Sequence, residues 1–233
     1  MKVIKDEVKL NSFLEQYGLI NVFNGYIKQH AVLCEFEQGE TICKQGESGS
    51  FLYVLVSGKI KVYTTSVDGK ILILSFKQPL EIIGDVEFVN GAELLNTVEA
   101  VSDKVMMVGI SYECLKKFGY NDADFLQFLL EIISLKFYRK STTMSFNLMY
   151  PVEVRLASYL LSVSSIKEHG VSEKLDWLDL KDVANFIGTS YRHVNRVIKQ
   201  FCVEELIEKK NGVITINDRP GLMRMAKDNI YEQ

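Results

Sequence analysis

Histidine is almost absent from this chain: His30, His169 and His193 are the only three, and none has a second histidine nearby. A metal centre of the sort that cupin-like enzymes build from clustered His and Glu therefore has too few ligands, and no metal is expected. Cysteine is also sparse. Cys34, Cys43, Cys114 and Cys202 are scattered without a C-x-x-C pair, which excludes the usual zinc arrangements and a secreted disulfide framework. Buried free thiols are the expectation, although Cys34 and Cys43 flank the strand-turn-strand CEFEQGETIC and leave a redox role open. There is no run of about 18 apolar residues, so no membrane span is expected. The segment MKVIKDEVKL lacks the apolar core of a signal peptide, which suggests a cytoplasmic protein. No Gly-rich nucleotide loop followed by Lys and no nucleophile motif occurs, so neither a cofactor nor enzymatic activity is expected.

What is present describes a globular chain. Its 233 residues, 47% hydrophobic and 24% charged, suit one large domain or two ordinary ones. The formal charge of −3 conceals an internal split. Residues 151–233 carry 12 basic and 12 acidic side chains, against 15 and 18 for residues 1–150. No Asp or Glu falls between Asp182 and Glu204, whereas Arg192, Arg196 and Lys199 all do. Overall acidity thus coexists with a local cationic stretch of the sort that nucleic acid requires.

Residues 31–110 read as short strands separated by Gly-containing turns at 38–40, 45–50, 57–59 and 67–70, with FLYVLV, KIKVYTT and ILILSF between them. β-branched and aromatic residues in runs near ten residues apart predict an antiparallel barrel or sandwich. In EIIGDVEFVNGAELLNTVEA, residues 81–100, an apolar strand is expected to end at Gly84-Asp85 and to be followed by a short turn and a second strand. Such a turn can present backbone N–H groups to a phosphate. An arginine or lysine normally completes a phosphate site, and there is none between Gly84 and Ala100.

From Asn121 the period changes. Asn121 or Asp122 can cap a helix that continues through DFLQFLLEIISLKFYRK with no Gly or Pro. Leu126, Leu130, Ile133 and Phe137 form one apolar stripe, and Phe125, Phe128, Ile132 and Leu135 another. A helix apolar on two sides needs two partners. The β-domain supplies one, and the same helix of a second subunit is the expected other; burial within one large monomer is the alternative. Pro151 marks a new helix start, and SSIKEHGVSEK at 164–174 reads as a polar loop.

The stretch LDLKDVANFIGTSYRHVNRVIKQF, residues 178–201, carries the chemistry. Asp179 caps a first helix, small Ala184 permits a close crossing, and Gly188-Thr189-Ser190 makes a turn in which Ser190 caps the next helix. On that second helix Val194, Val197, Ile198 and Phe201 share one face. Arg192, Arg196 and Lys199 lie opposite, flanked by Tyr191, His193 and Asn195. This is a helix-turn-helix pattern, although an ordinary helix pair with a solvated cationic face has the same period. Next, ELIEKKNGVITI at 205–216 places Asn-Gly between two short strands, a strong hairpin signal that makes the unit a winged helix with Lys209 and Lys210 on the wing.

GETICKQGESGSFLYVLVSGKIKVY, the segment at 81–100, the long helix and GTSYRHVNRVIKQF, in that order, resemble the Crp/Fnr family of bacterial transcription regulators over nearly the whole chain. G-D-V-E-F together with S-Y-R-H resembles the YeiL branch most. The resemblance implies an α+β protein with an N-terminal double-stranded β-helix (jelly-roll, cyclic-nucleotide-binding-like) at 1–120. A dimerisation helix at 121–149 and a winged helix-turn-helix at 150–233 would follow. It further implies a cytoplasmic homodimer on double-stranded DNA with a palindromic operator, with RNA polymerase as a candidate partner. Tyr191, Arg192 and Asn195 are expected at base edges and Arg196 at base or phosphate. Thr189, Ser190, Lys199, Lys209 and Lys210 are expected at phosphate.

The effector pocket implied by the resemblance comprises Ile83, Gly84, Asp85, Val86, Leu95, Asn96 and Thr97. It departs from cyclic-nucleotide-binding members, which the family resemblance gives as Gly-Glu followed by Arg-Ser or Arg-Ala. Asp85 is shorter than Glu, and Leu94-Leu95-Asn96-Thr97 contains no cation. A cyclic phosphate would lack its counter-ion there. The expected signal is an unidentified small-molecule effector other than cyclic AMP. Two alternatives remain: a regulator that still binds a cyclic nucleotide weakly, and a ligand-sensing β-roll that acts through protein–protein contact. The N-terminal cysteine cluster of oxygen-sensing members is missing from residues 1–30.

Overall fold

The computed structural model describes residues 1–69, 71–164, 174–175 and 179–227, organised as two compact units, Met1–Lys136 and Phe137–Gln233. The first unit opens with β1 (Lys2–Ile4), α1 (Glu7–Gln16) and α2 (Gly25–His30). It continues through β2 (Val32–Glu37), β3 (Thr41–Cys43), β4 (Phe51–Ser57), β5 (Ile60–Thr65), β6 (Ile71–Lys77) and β7 (Glu81–Ile83). Then come α3 (Asp85–Asn90), β8 (Thr97–Ala100), β9 (Lys104–Ser111), α4 (Tyr112–Phe118) and the long α5 (Ala123–Met149). The second unit contains α6 (Val152–Ser164), β10 (Lys174–Leu175), α7 (Leu180–Phe186), α8 (Tyr191–Val203), β11 (Ile207–Lys210), β12 (Val213–Ile216) and α9 (Arg219–Met225). Within the expected loop at 164–174, residues 165–173 lie outside the described residues, as does Lys70 at the end of the 67–70 turn.

Two antiparallel sheets make the β-roll, in the orders β1-β2-β9-β4-β7 and β3-β8-β5-β6. The unbroken apolar run FLYVLV, which does not alternate as a half-exposed strand would, follows from the position of β4. Tyr53 and Leu55 are buried inside the roll with Phe36, Ile60, Val98, Val105 and Met107. Leu52, Val54 and Val56 are buried in a second cluster with Phe23, Ile27, Phe88, Leu115 and Phe125. Full burial of each such side chain stabilises by about 1.5–3 kcal/mol.

Asp122 caps α5. One of its carboxylate oxygens accepts from the Phe125 N–H at 3.0 Å and the other from Asn24 Nδ2 at 2.6 Å. Phe125 and Leu129 are buried in the second cluster, with Phe128 and Ile132 packed against it. Leu126, Leu130 and Phe137 are 41%, 62% and 74% exposed, while Ile133 is intermediate. Leu135, which the period groups with Phe125 and Ile132, is instead exposed.

Segment 81–100 corrects one expectation. The turn expected after Gly84 is helix α3, bracketed by two glycines in the left-handed region, Gly84 at φ +85° and Gly91 at φ +70°. Gly84 ends β7 and starts the helix, and the Gly91 N–H closes it on the Glu87 carbonyl at 2.9 Å. Two glycines with six residues between them, around a buried Phe88, are the sequence signal that a strand-turn-strand reading passes over.

The four cysteines are free. Cys34 and Cys43 both lie in the roll interior, where burial pushes the Cys43 thiol up to about 12 and raises Cys34 as well. Burial raises Cys114 too, whereas Cys202 is only half-buried. Because the thiolate is the reactive form, the native protein at pH 7.5 is expected to take up iodoacetamide at Cys202 alone. In denaturant all four should react. Rapid native labelling of Cys34 or Cys43, located by peptide mass spectrometry, would contradict the sealed interior.

Candidate nucleic-acid interface and sensor segment

In the second unit the helix-turn-helix is assembled by local hydrogen bonds. Asp179 caps α7 by accepting from the Lys181 N–H at 2.8 Å, and Gly188 at φ +67° turns the chain. The Thr189 N–H donates to the Ala184 carbonyl at 2.8 Å, and Ser190 Oγ caps α8 by accepting from the His193 N–H at 3.2 Å. Arg155 of α6 adds a contact that the sequence pattern does not reveal: its guanidinium donates to the carbonyl of Ile187 and, at 3.4 Å, to that of Gly188. Val194, Val197, Ile198 and Phe201 are buried in the core of this unit with Leu156, Leu160 and Ile207. The opposite face of α8 is thereby fixed toward solvent.

On that face Arg192 and Lys199 are exposed and, among the described residues, have no ion-pair partner. Tyr191 is 47% exposed, and its carbonyl accepts from Asn195 Nδ2 at 3.0 Å. Arg196 is held more tightly than its exposure implies. Its Nη2 lies 2.7 Å from His193 Nε2, whose ring also approaches Thr189 Oγ1 at 3.4 Å and Glu153 Oε1 at 3.9 Å. A guanidinium can only donate, so in this contact His193 Nε2 is the acceptor.

The wing is present as expected. Strands β11 and β12 pair across Asn211-Gly212, both with positive φ, and Lys210 faces Val213. Strand β10, short and not evident from the sequence, adds to β12. Lys209 is exposed, whereas Lys210 is ion-paired with Glu208. A shallow groove of about 690 Å³ at this end of α8 is lined by Glu204, Glu205, Glu208 and Asp218 beside Lys209 and Lys210. Its carboxylates set it apart from the cationic stretch at 192–199.

In the first unit the segment around Gly84 is already filled. Tyr112 Oη, whose pKa is raised by burial and then by Glu87, stays protonated and donates to the Gly84 carbonyl at 2.7 Å. A Cβ at Gly84 would lie 2.6 Å from that hydroxyl, so only glycine fits. Leu94 packs into the roll interior, while Leu95 is 53% exposed and its N–H donates to Glu87 Oε1 at 3.1 Å. Thr97 is buried and its hydroxyl accepts from the Gln45 N–H at 3.1 Å. Ile83, Val86 and Asn96 are half-buried.

The cation missing from 84–100 comes from α5. Lys136 Nζ reaches Asp85 Oδ1 and Glu81 Oε1, both at 3.0 Å, and donates to the Ile82 carbonyl. Asp85, 3% exposed, is thus committed within the chain through one oxygen, and its Oδ2 is buried without a partner. Lys136 lies 51 residues from Asp85, too distant in sequence for any local motif to join them.

Comparison with known proteins bears on both units. Residues 33–119 match the family model for a cyclic nucleotide-binding domain, and residues 154–225 match that for a Crp-like helix-turn-helix domain. Regulatory protein YeiL of Escherichia coli O157:H7 is 26% identical over 83% of this chain and 85% of its own length. A CRP-like cAMP-activated global transcriptional regulator of Mycobacterium tuberculosis is 22% identical over 83% and 87%. Among solved structures, a Crp/Fnr-family transcriptional regulator from Eubacterium rectale superposes with a TM-score of 0.79 at 20% identity, covering 91% of this chain and 99% of that one. No helix among the described residues is long and apolar enough to cross a membrane. With both models matched in this order on a β-roll, a long helix and a winged helix-turn-helix, the chain belongs to the Crp/Fnr family of DNA-binding transcription regulators.

Proposed function

We propose that the chain acts in the cytoplasm as a homodimer on a palindromic operator, with residues 190–202 in the major groove and with a signal other than cyclic AMP. The observation that carries this reading is the solvent face of α8, where Arg192 and Lys199 stand exposed and unneutralised on a helix whose other face is buried. Surface cations left without ion pairs suit release of phosphate counterions on binding. Tyr191, Arg192 and Asn195 take base edges. Thr189, Ser190, Lys199 and Lys209 take phosphate, and Lys210 joins them once it leaves Glu208. Arg196 serves base or phosphate from the position His193 gives it.

Residues 1–120 form the sensor, 121–149 the dimer helix and 150–233 the DNA-binding domain. Leu126, Leu130, Ile133 and Phe137 make the subunit seam, supported by the exposure of three of them on a helix whose other side is buried in the roll. RNA polymerase is the expected partner at the promoter. Against weak cyclic-nucleotide binding stand the uncharged Leu94–Thr97 stretch and the engagement of Asp85 by Lys136. Against a sensor acting through protein contact alone stand the unpaired cations of α8.

Three measurements test this. Arg192→Ala is expected to cost on the order of 1–3 kcal/mol in operator affinity and to relax specificity at one base pair. Lys199→Ala should weaken all sequences alike and reduce the salt slope by about 1. Anisotropy titrations at several salt concentrations separate the two, and wild-type behaviour of both variants would reject α8 as the reading helix. Leu130→Glu should yield a monomer in sedimentation with its operator affinity lost, so a stable dimer would reject the seam. Finally, millimolar cyclic AMP is expected to leave operator affinity unchanged, and an increase would revive the cyclic-nucleotide alternative.

A further inference from the structure

The cyclic-nucleotide sites that the sensor resembles need a cation for a bound anion. Here the charges are reversed: the acids belong to the roll, where Lys77 Nζ stands 3.7 Å from Glu81 Oε2, and a second cation, Lys136, arrives from α5 to bridge Glu81 and Asp85. Glu81 and Asp85 are 9% and 3% exposed, yet there is no Arg or Lys between Gly84 and Ala100. A lysine ammonium has three protons to donate. Those of Lys136 are matched by three acceptors, the Ile82 carbonyl, Asp85 Oδ1 and Glu81 Oε1. This saturates the ammonium and leaves it nothing to offer a phosphate. The roll's side is not saturated, because Asp85 Oδ2 is buried and unpartnered. A buried carboxylate oxygen with no donor favours an occupant bringing further N–H groups.

We propose that Glu81, Asp85 and the Ile82 carbonyl form an ammonium-binding site, occupied by the chain's own Lys136, and that a small molecule acting here is an organic cation with N–H donors that displaces it. The proposal rests on the reading of 83–97 as the sensor's effector segment and assigns that segment a ligand of opposite charge to a cyclic nucleotide. Lys136 is a tethered ligand, held at the effective concentration of an intramolecular group. It fastens the turn of α5 around Ile132 and Lys136 to the roll. The turn before it is held independently by buried Phe125 and Leu129.

Chemical rescue tests this without any DNA measurement, so its failure and that of the regulator reading are separable. The full-length Lys136→Ala variant is prepared, and n-propylammonium is titrated into it at constant ionic strength while the thermal midpoint, calorimetric heat and amide exchange are followed. Exchange at residues 132–136 should quicken on the order of tenfold in the variant, while residues 125–129 stay as in the wild type. Propylammonium should bind saturably and slow that exchange again. Tetramethylammonium, which has no N–H, should not. The further change Asp85→Asn should abolish propylammonium binding. The proposal is overturned if exchange at 132–136 matches the wild type, if tetramethylammonium rescues equally, or if binding survives Asp85→Asn. Should Lys136→Ala not fold, the same titration in Lys136→Met must still show ammonium-dependent stabilisation lost with Asp85→Asn. Its absence there overturns the site.

Discussion

Glu81, Asp85 and Glu87 are all buried within one short segment, and the side-chain arrangement around it follows from how that negative charge is compensated. Carboxylates out of water require donors. Glu87 accepts from the Leu95 N–H, which anchors the segment between α3 and β8. Glu81 has Lys77 Nζ 3.7 Å from its Oε2 and shares Lys136 with Asp85 through its other oxygen. Removing Lys136, itself half-buried, would leave two buried carboxylates short of a donor, which costs more than losing a surface pair. The first half of α5 therefore has two unlike attachments, an apolar one at Phe125 and Leu129 and an ionic one at Lys136, about two turns further on.

The second unit solves the reverse problem. Its core buries one face of α8 completely, and three polar devices set the helix start: the Ser190 cap, the Thr189–Ala184 hydrogen bond and the Arg155 clamp on the carbonyls of the turn. None of these uses the cations of the exposed face. Arg192 and Lys199 are spared from structural duty, which is why they remain available to an anion. Arg196 and Lys210 are held in reserve by His193 and Glu208. Their contribution to any phosphate contact is net of the interaction they give up.

Legibility in the sequence divided along the range of the interactions. The helix-turn-helix and its hairpin were readable because caps, turn glycines and period lie within a few residues of one another. Ser190, Gly188, Asn211 and the buried set from Val194 to Phe201 stand where the pattern puts them. The runs that became β4 and β5 were likewise plain. Helix α3 was missed because six residues between two glycines are too few to declare a period. The Lys136–Asp85 contact and the Arg155 clamp were missed because they join positions 51 and 32 residues apart. Only the folded chain brings them together.

The scaffold keeps the ion-paired side chains of this segment apart from the core that holds it. The apolar clusters on the two sides of β4 draw on strands and helices from Leu14 to Leu129, and none of their members is Glu81, Asp85 or Lys136. Gly84 is fixed by its φ and by Tyr112, not by anything bound beside it. The turn at Gly84 is therefore set by glycine and Tyr112, whereas the charged side chains of Glu87 and Lys136 hold the backbone at Leu95 and Ile82. Glu81, Asp85 and Lys136 are a handful of side chains at the margin of an intact core. The group that closes the segment onto α5 belongs to the chain itself, because Lys136 meets two carboxylates and a carbonyl at once.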